Sequence, residues 1–211
     1  MNKKGIEAFV NYGFNSNSDV KALNKMNLGI SIFYIIGIVY GMFLGLLGQI
    51  LSIIMIADVI FFSILLLFKT RKNSVANIML VMALISLEAT MNFTLLALIL
   101  CSMLKESIMI YFLVAITPIV TFLIYFCLTV TQIKNDKFSN KKKIKKDKLY
   151  SYSMIGGIAG LFIARIALDD VSQTKALQIS IICVMFIAVC FSFGIINFLK
   201  FFYVSKNLTE K

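Results

Sequence analysis

From Leu28 to Phe68 the chain carries a single charged side chain, Asp58. A helix rises about 1.5 Å per residue, so one helix over this stretch would reach roughly 60 Å, twice the hydrocarbon core of a bilayer. Two membrane-crossing helices must share it, and Gly48-Gln49 is the natural turn between them. The rest of the chain is of the same kind. Of its 211 residues 60% are hydrophobic and 15% charged, and the mean hydropathy is +0.91. An ordinary soluble domain has about 45–50% apolar and about 25% charged residues. The composition excludes such a globule, and it excludes disorder, which requires low hydrophobicity. The expected fold class is an all-α polytopic integral membrane protein.

Six spans are expected, at about 28–48, 50–68, 74–101, 108–133, 151–168 and 176–199, together forming a membrane domain over 28–200. The segment 1–27 lacks the apolar core of a cleavable signal and forms a cytoplasmic head. The segment 134–150 forms a basic loop and 201–211 a tail. The Lys/Arg distribution sets the orientation. With the N-terminus in the cytoplasm, 18 of the 21 basic residues fall on the inner side and only Lys105 and Lys175 on the outer, with Arg165 inside a span. The expectation is a six-helix bundle with both termini cytoplasmic, in the cell (plasma) membrane. The net charge of +11 is thereby confined to one rim and records orientation. Nineteen lysines against two arginines, beside abundant Asn and Ile, point to an AT-rich bacterial genome.

The absences narrow the chemistry. The chain has no His or Trp, so zinc-protease and Ser-His-Asp or Cys-His chemistry fail together. No phosphate-binding glycine loop and no Gly-x-Ser-x-Gly occurs. Cys101, Cys127, Cys183 and Cys190 form no C-x-x-C pair and read as small buried apolar residues. No cofactor or metal is expected. The segments outside the spans are too short to bury a core of their own, which excludes an intrinsic ATPase, kinase or receptor domain.

Three charges lie within the expected spans, where each needs a partner or water and is a functional candidate by default. Asp58 lies about nine residues from the outer end of span two, and Glu88 lies near the middle of span three. Asn92, one turn from Glu88, is placed to hydrogen-bond it, so that Glu88 reads either as a neutral, hydrogen-bonded interhelical lock or as a proton- or cation-binding group. Arg165 either snorkels outward beside Asp169 or turns inward toward Asp58. Small residues form two stripes: Gly29, Gly37, Gly41 and Gly45 in the first span, Gly156, Gly160 and Ala164 in the fifth. Such stripes let helix backbones approach closely, either within one chain or at a homo-oligomer seam. Pro118 is expected to kink the fourth span, with the hydroxyls of Thr117 and Thr121 re-satisfying the freed carbonyls. The two halves of three spans show no residue-level repeat.

At the inner rim, Lys141, Lys142, Lys143, Lys145 and Lys146 suit anionic lipid headgroups. With Phe138 the sole aromatic among them, nucleic acid is not an expected partner. Ile6, Phe9, Val10 and Phe14 fall at helical spacing, as in an amphipathic helix on the inner leaflet, and Val20 and Leu23 belong to a second short helix. Three function classes survive: a non-enzymatic interaction, immunity or assembly subunit with a membrane-protein partner; a small-solute or proton-coupled ion transporter using Glu88 and Asp58; and a permease subunit borrowing a separate ATPase. The first is the leading expectation and transport its alternative: convergence of Asp58, Glu88 and Arg165 on a solvent-reachable cavity would favour transport, and a dry, fully packed bundle an interaction protein.

Overall fold

The computed structural model of the chain describes residues 3–11, 20–69, 74–104, 107–135, 137 and 172–209. Over these it is 95% helical with no strands. In chain order the described helices are α1 (Lys3–Asn11), α2 (Val20–Met42), α3 (Leu46–Lys69), α4 (Val75–Leu104), α5 (Ile108–Lys134) and α6 (Gln173–Ser192). A 3₁₀ turn, Phe193–Ile196, then leads into α7 (Asn197–Thr209). Five stretches of the described residues are long and apolar enough to cross a membrane: Leu23–Met42, Leu46–Phe68, Val75–Leu104, Ile108–Lys134 and Gln173–Lys206. The fifth expected span, with Arg165, Gly156, Gly160 and Ala164, lies outside the described residues, as do Lys141, Lys142, Lys143, Lys145 and Lys146.

Helix α4 is the axis of the bundle. Its most apolar window is 56% buried, against at most 33% for any other span. It packs against α2, α3, α5, α6, the 3₁₀ turn and α7. Its inward positions, among them Val81, Ala83, Ile85, Ala89 and Ala97, are fully or almost fully buried. The surrounding helices turn large apolar side chains outward, including Phe33, Phe61, Phe112 and Phe186. That is the distribution a lipid solvent favours, because helices there gain nothing from hiding apolar groups and associate through packing and polar contacts. At 30 residues α4 is about 45 Å long, more than the hydrocarbon core, so it must tilt or project.

Several boundaries differ from expectation. The first turn falls at 43–45, not at Gly48-Gln49, because α3 already begins at Leu46. The bonds closing the turn run from Phe43 N to Tyr40 O (3.2 Å) and from Leu44 N to Gly41 O (3.1 Å). Gly48 instead lies within the first turn of α3, against α2. Val20 and Leu23 belong to the start of α2 rather than to a separate short helix. The last span continues past position 199, its α geometry tightening to 3₁₀ over Phe193–Ile196. There Gly194 sits so close to Ser86 of α4 that a Cβ would collide with the serine side chain. Of the four cysteines only Cys101 is buried; Cys127, Cys183 and Cys190 face outward, where a weakly polar thiol is tolerated by lipid.

Helix α1 is not simply laid on a lipid surface. Phe9 is buried in a cluster with Ile133 of α5 and Ile196, flanked by Tyr125, Phe126 and Tyr203. The Lys200 ammonium lies 5.3 Å from the Phe9 ring centroid, a cation–π distance. Pro118 is buried within α5, which remains helical through it. Proline leaves the carbonyl four residues back, that of Val114, without its usual donor. The Thr117 hydroxyl donates to Leu113 O (2.7 Å) and the Thr121 hydroxyl to Thr117 O (2.8 Å), so neither re-satisfies that carbonyl.

The glycine stripe expected in the first span divides in two, and its last member, Gly45, lies in the turn after α2. Around Gly29 and Gly45 there is open space within 4 Å of where a Cβ would be. Gly41 meets Ser52 and the Gly48 carbonyl of α3, and a Cβ on Gly48 would lie 2.8 Å from the Gly41 carbonyl oxygen. This is backbone against backbone, and Ser52 Oγ adds a hydrogen bond to Ile38 O at 3.2 Å. At Gly37 the nearest atom is Leu96 Cδ1 at 2.7 Å, the far end of a side chain that can rotate away. A graded response to alanine is therefore expected. Gly48→Ala should cost about 1–3 kcal/mol, in the range of overpacking, whereas Gly37→Ala should cost less and Gly29→Ala and Gly45→Ala almost nothing. Thermal or denaturant melts of the detergent-solubilised protein check the order, and equal melts for Gly48→Ala and Gly29→Ala would contradict it.

Candidate functional site

Several buried polar residues of the bundle meet where α2, α3 and α4 come together. On α2, Asn24, Asn27, Ser31 and Tyr34 recur at intervals of three and four, so they share a face. The same face continues into Gly37 and Gly41. Its N-terminal half is therefore polar and its C-terminal half small, and it is turned toward α3 and α4. On α4, Glu88 and Asn92 are one turn apart; on α3, Asp58 faces the same junction. Glu88, Asn92 and Tyr34 are all 0% exposed, and Asn27 and Asp58 are 8% and 9% exposed.

Two hydrogen bonds tie the three helices together. Asn27 Nδ2 donates to Glu88 Oε2 at 3.0 Å, joining α2 to α4. Asn92 Nδ2 donates to Asp58 Oδ2 at 2.8 Å, joining α4 to α3, and also to the Glu88 backbone carbonyl at 3.1 Å. The sequence spacing assigns Asn92 to the Glu88 carboxylate. It serves that residue's backbone and Asp58 instead, because on a helix the side chain of residue i+4 can reach the carbonyl of residue i. Tyr34 stands within electrostatic reach of both carboxylates. Its ring packs edge-on against Phe93 with centroids 5.7 Å apart, and Phe93 in turn stacks on Phe191 of α6.

Both amides present nitrogen to a carboxylate, so both present oxygen elsewhere. Asn27 Oδ1, Asn92 Oδ1, Glu88 Oε1 and the Tyr34 hydroxyl are buried without a hydrogen-bond partner, as is Asn24 Oδ1 at the end of the stripe. Buried polar atoms are nearly always paired, and buried charges almost never stand without a counter-charge or donors. The junction thus has a surplus of acceptors: four oxygens that only accept, and one hydroxyl able to donate once. Among the described residues no group of three His, Cys, Asp or Glu is placed to hold a metal ion.

No family model, no curated protein and no solved structure matches the chain. The chemistry of the junction is therefore the guide to its role.

Of the intramembrane residues singled out in the sequence, the structure brings Asp58, Glu88 and Asn92 together. Asn27 and Tyr34 are additions that the sequence reading does not anticipate. The signal that could have found them is the polar period of three and four on α2, obscured because Asn27 is assigned there to the head. The Ser31 hydroxyl, on the same face, bonds back to its own helix at Asn27 O (2.9 Å) and takes no part in the junction.

The Asn27–Glu88 bond has a measurable consequence. Asn27→Leu removes the side-chain donor that reaches the Glu88 carboxylate, and a hydrogen bond to a charged group is worth about 1.5–3 kcal/mol. The variant should melt earlier by a corresponding amount. Ser31→Ala, a turn away on the same face, should melt close to the parent. Indistinguishable melts for Asn27→Leu and the parent would show that the bond carries no weight.

Proposed function

We propose that this chain is a non-enzymatic, multi-pass membrane protein that passes a proton or small cation through its bundle by way of Glu88 and Asp58. One observation carries the reading: two buried carboxylates on neighbouring helices, each met by an asparagine amide, within a junction that holds more acceptors than donors. Carboxylates are costly inside a membrane, and where they persist they usually line ion or proton paths. An interaction or immunity subunit and an ATPase-dependent permease subunit rank behind this reading, because in either the carboxylates would serve only to lock the helices together and the surplus acceptors would have no task.

The topology that goes with it is six spans, the sixth supplied by 151–168, with both termini in the bacterial cytoplasm. In its favour, α1, the C-terminal end of α5 and α7 gather at one end of the bundle. Lys134 and Lys137 at the end of α5 and Lys206 in α7 follow the positive-inside bias there. Lipid headgroups would meet the lysines of 141–146 on that side.

Two experiments test the reading. In proteoliposomes with an internal pH dye, the parent should dissipate an imposed ion or pH gradient. Glu88→Gln and Asp58→Asn should lower the rate at least tenfold while the protein still elutes as a folded species. Gradients dissipated equally by the parent, both variants and empty vesicles would remove the transport reading. For topology, Lys143→Cys and Lys211→Cys, each in a background lacking the native four cysteines, should react with an impermeant maleimide only after the membrane is opened. Labelling of either in intact cells would refute the orientation.

A further inference from the structure

We infer that the junction of α2 and α4 is a binding site for a dehydrated monovalent alkali cation, with Glu88 Oε1, the Asn27 and Asn92 side-chain oxygens and the Tyr34 hydroxyl as its ligands. The inference rests on the ion reading above and names the ion class. Its starting point is the unpaired set itself. All four atoms are buried without a hydrogen-bond partner and belong to residues at least nine-tenths buried. Three of the residues are chained by hydrogen bonds: Asn27 to Glu88 through its carboxylate, and Asn92 to Glu88 through its backbone carbonyl. Tyr34 lies within electrostatic reach of Glu88 and Asp58, its ring packed edge-on against Phe93, the residue after Asn92.

The amide orientations follow from the charges. With its nitrogen against Glu88 Oε2, Asn27 must turn its oxygen away; reversing the amide would set oxygen against carboxylate oxygen. The same holds for Asn92 against Asp58. The two carboxylates therefore fix two neutral oxygens as acceptors. A proton on Glu88 supplies one donor and the Tyr34 hydroxyl another, which leaves acceptors over. A cation engages several oxygens at once, replacing its hydration shell with carboxylate, amide and hydroxyl oxygen.

The unpaired ligand set points to a monovalent ion. The unpaired ligands include one carboxylate oxygen, that of Glu88, while the Asp58 Oδ2 atom is engaged by Asn92. Calcium sites usually gather several carboxylates, and magnesium retains waters that a closed apolar junction does not favour. One carboxylate with three neutral oxygens suits a single positive charge.

The test uses the full chain in detergent. Its melting temperature is followed as choline chloride is replaced by LiCl, NaCl, KCl or RbCl at constant ionic strength, and ²²Na⁺ binding is measured by equilibrium dialysis. The expected result is a saturable rise in melting temperature with at least one alkali ion and none with choline. Tyr34→Phe keeps the ring and its contact with Phe93, so it should fold. It should raise the half-saturating concentration at least fivefold while melting in choline like the parent. Asn27→Asp, which retains an oxygen ligand, should bind better than Asn27→Leu. Ser31→Ala should bind like the parent. No saturable response to any of the four ions, or an unchanged response in Tyr34→Phe and Asn27→Leu alike, would overturn the assignment. If gradients still collapse through Glu88 in choline medium without alkali binding, the cation site is wrong and the transport reading stands. If an alkali ion binds as described but no vesicle flux occurs, the site is right and transport is wrong.

Discussion

A carboxylate at 0% exposure in the middle of an apolar helix governs how the other helices are arranged. Glu88 is unstable in hydrocarbon unless donors reach it, and α4 does not supply one to its own side chain. A second helix must bring one. Asn27 of α2 does so at 3.0 Å. Asp58 poses the same problem on α3, and Asn92 of α4 meets it at 2.8 Å. The two bonds make α4 the shared partner of α2 and α3. They explain why the helix with the most polar middle is also the most buried. In water the apolar helices would be drawn inward; in lipid the polar ones are, and the exposed Ile, Leu and Phe of α2, α3 and α5 follow.

The attachment of α2 is uneven along its length. Near the turn into α3 its backbone touches that of α3 through Gly41 and Gly48, with Ser52 bonded to Ile38. Dense backbone contact of this kind deforms little. Toward the N-terminal end of the helix, Tyr34 is lodged among Met55, Phe93 and Ala89 in one apolar cluster. Beyond that, Ile30 and Leu23 continue the apolar packing, and the Asn27–Glu88 bond adds a polar tie to α4. Gly41 and Asn27 are separated by about 21 Å of helix. One end is held by backbone contact, the other by apolar side chains and one buried polar bond.

The helices are legible in the sequence because apolar length is the membrane's own requirement, and a stretch as long as 28–68 with one charge admits two spans and no more. Their ends are less legible. Gly48 reads as a turn residue, yet it serves as a contact between α2 and α3, and the turn goes to 43–45 because α3 extends to Leu46. A glycine marks either a turn or a close approach, and sequence does not say which. Gly37 and Gly41 are contacts, while Gly29 and Gly45 are not. In the site, the costly residues Asp58 and Glu88 declare themselves, since nothing in a bilayer tolerates them idly. Asn27 and Tyr34 do not, because a neutral amide or phenol is cheap enough to pass as interfacial. Only the partner across the junction makes them part of a site.

That asymmetry bears on how such a site can work. A ligand shifts a conformational equilibrium only by binding one state better than another. The oxygens of the junction come from two helices, so any ion held by both sets binds best when α2 lies against α4. Without it, the buried oxygens of Asn27, Asn92 and Glu88 are left without partners, a cost borne by the contact between α2 and α4. If the proposed cation binds, the same count of donors and acceptors couples its binding to the contact between α2 and α4, away from the close backbone approach at Gly41 and Gly48.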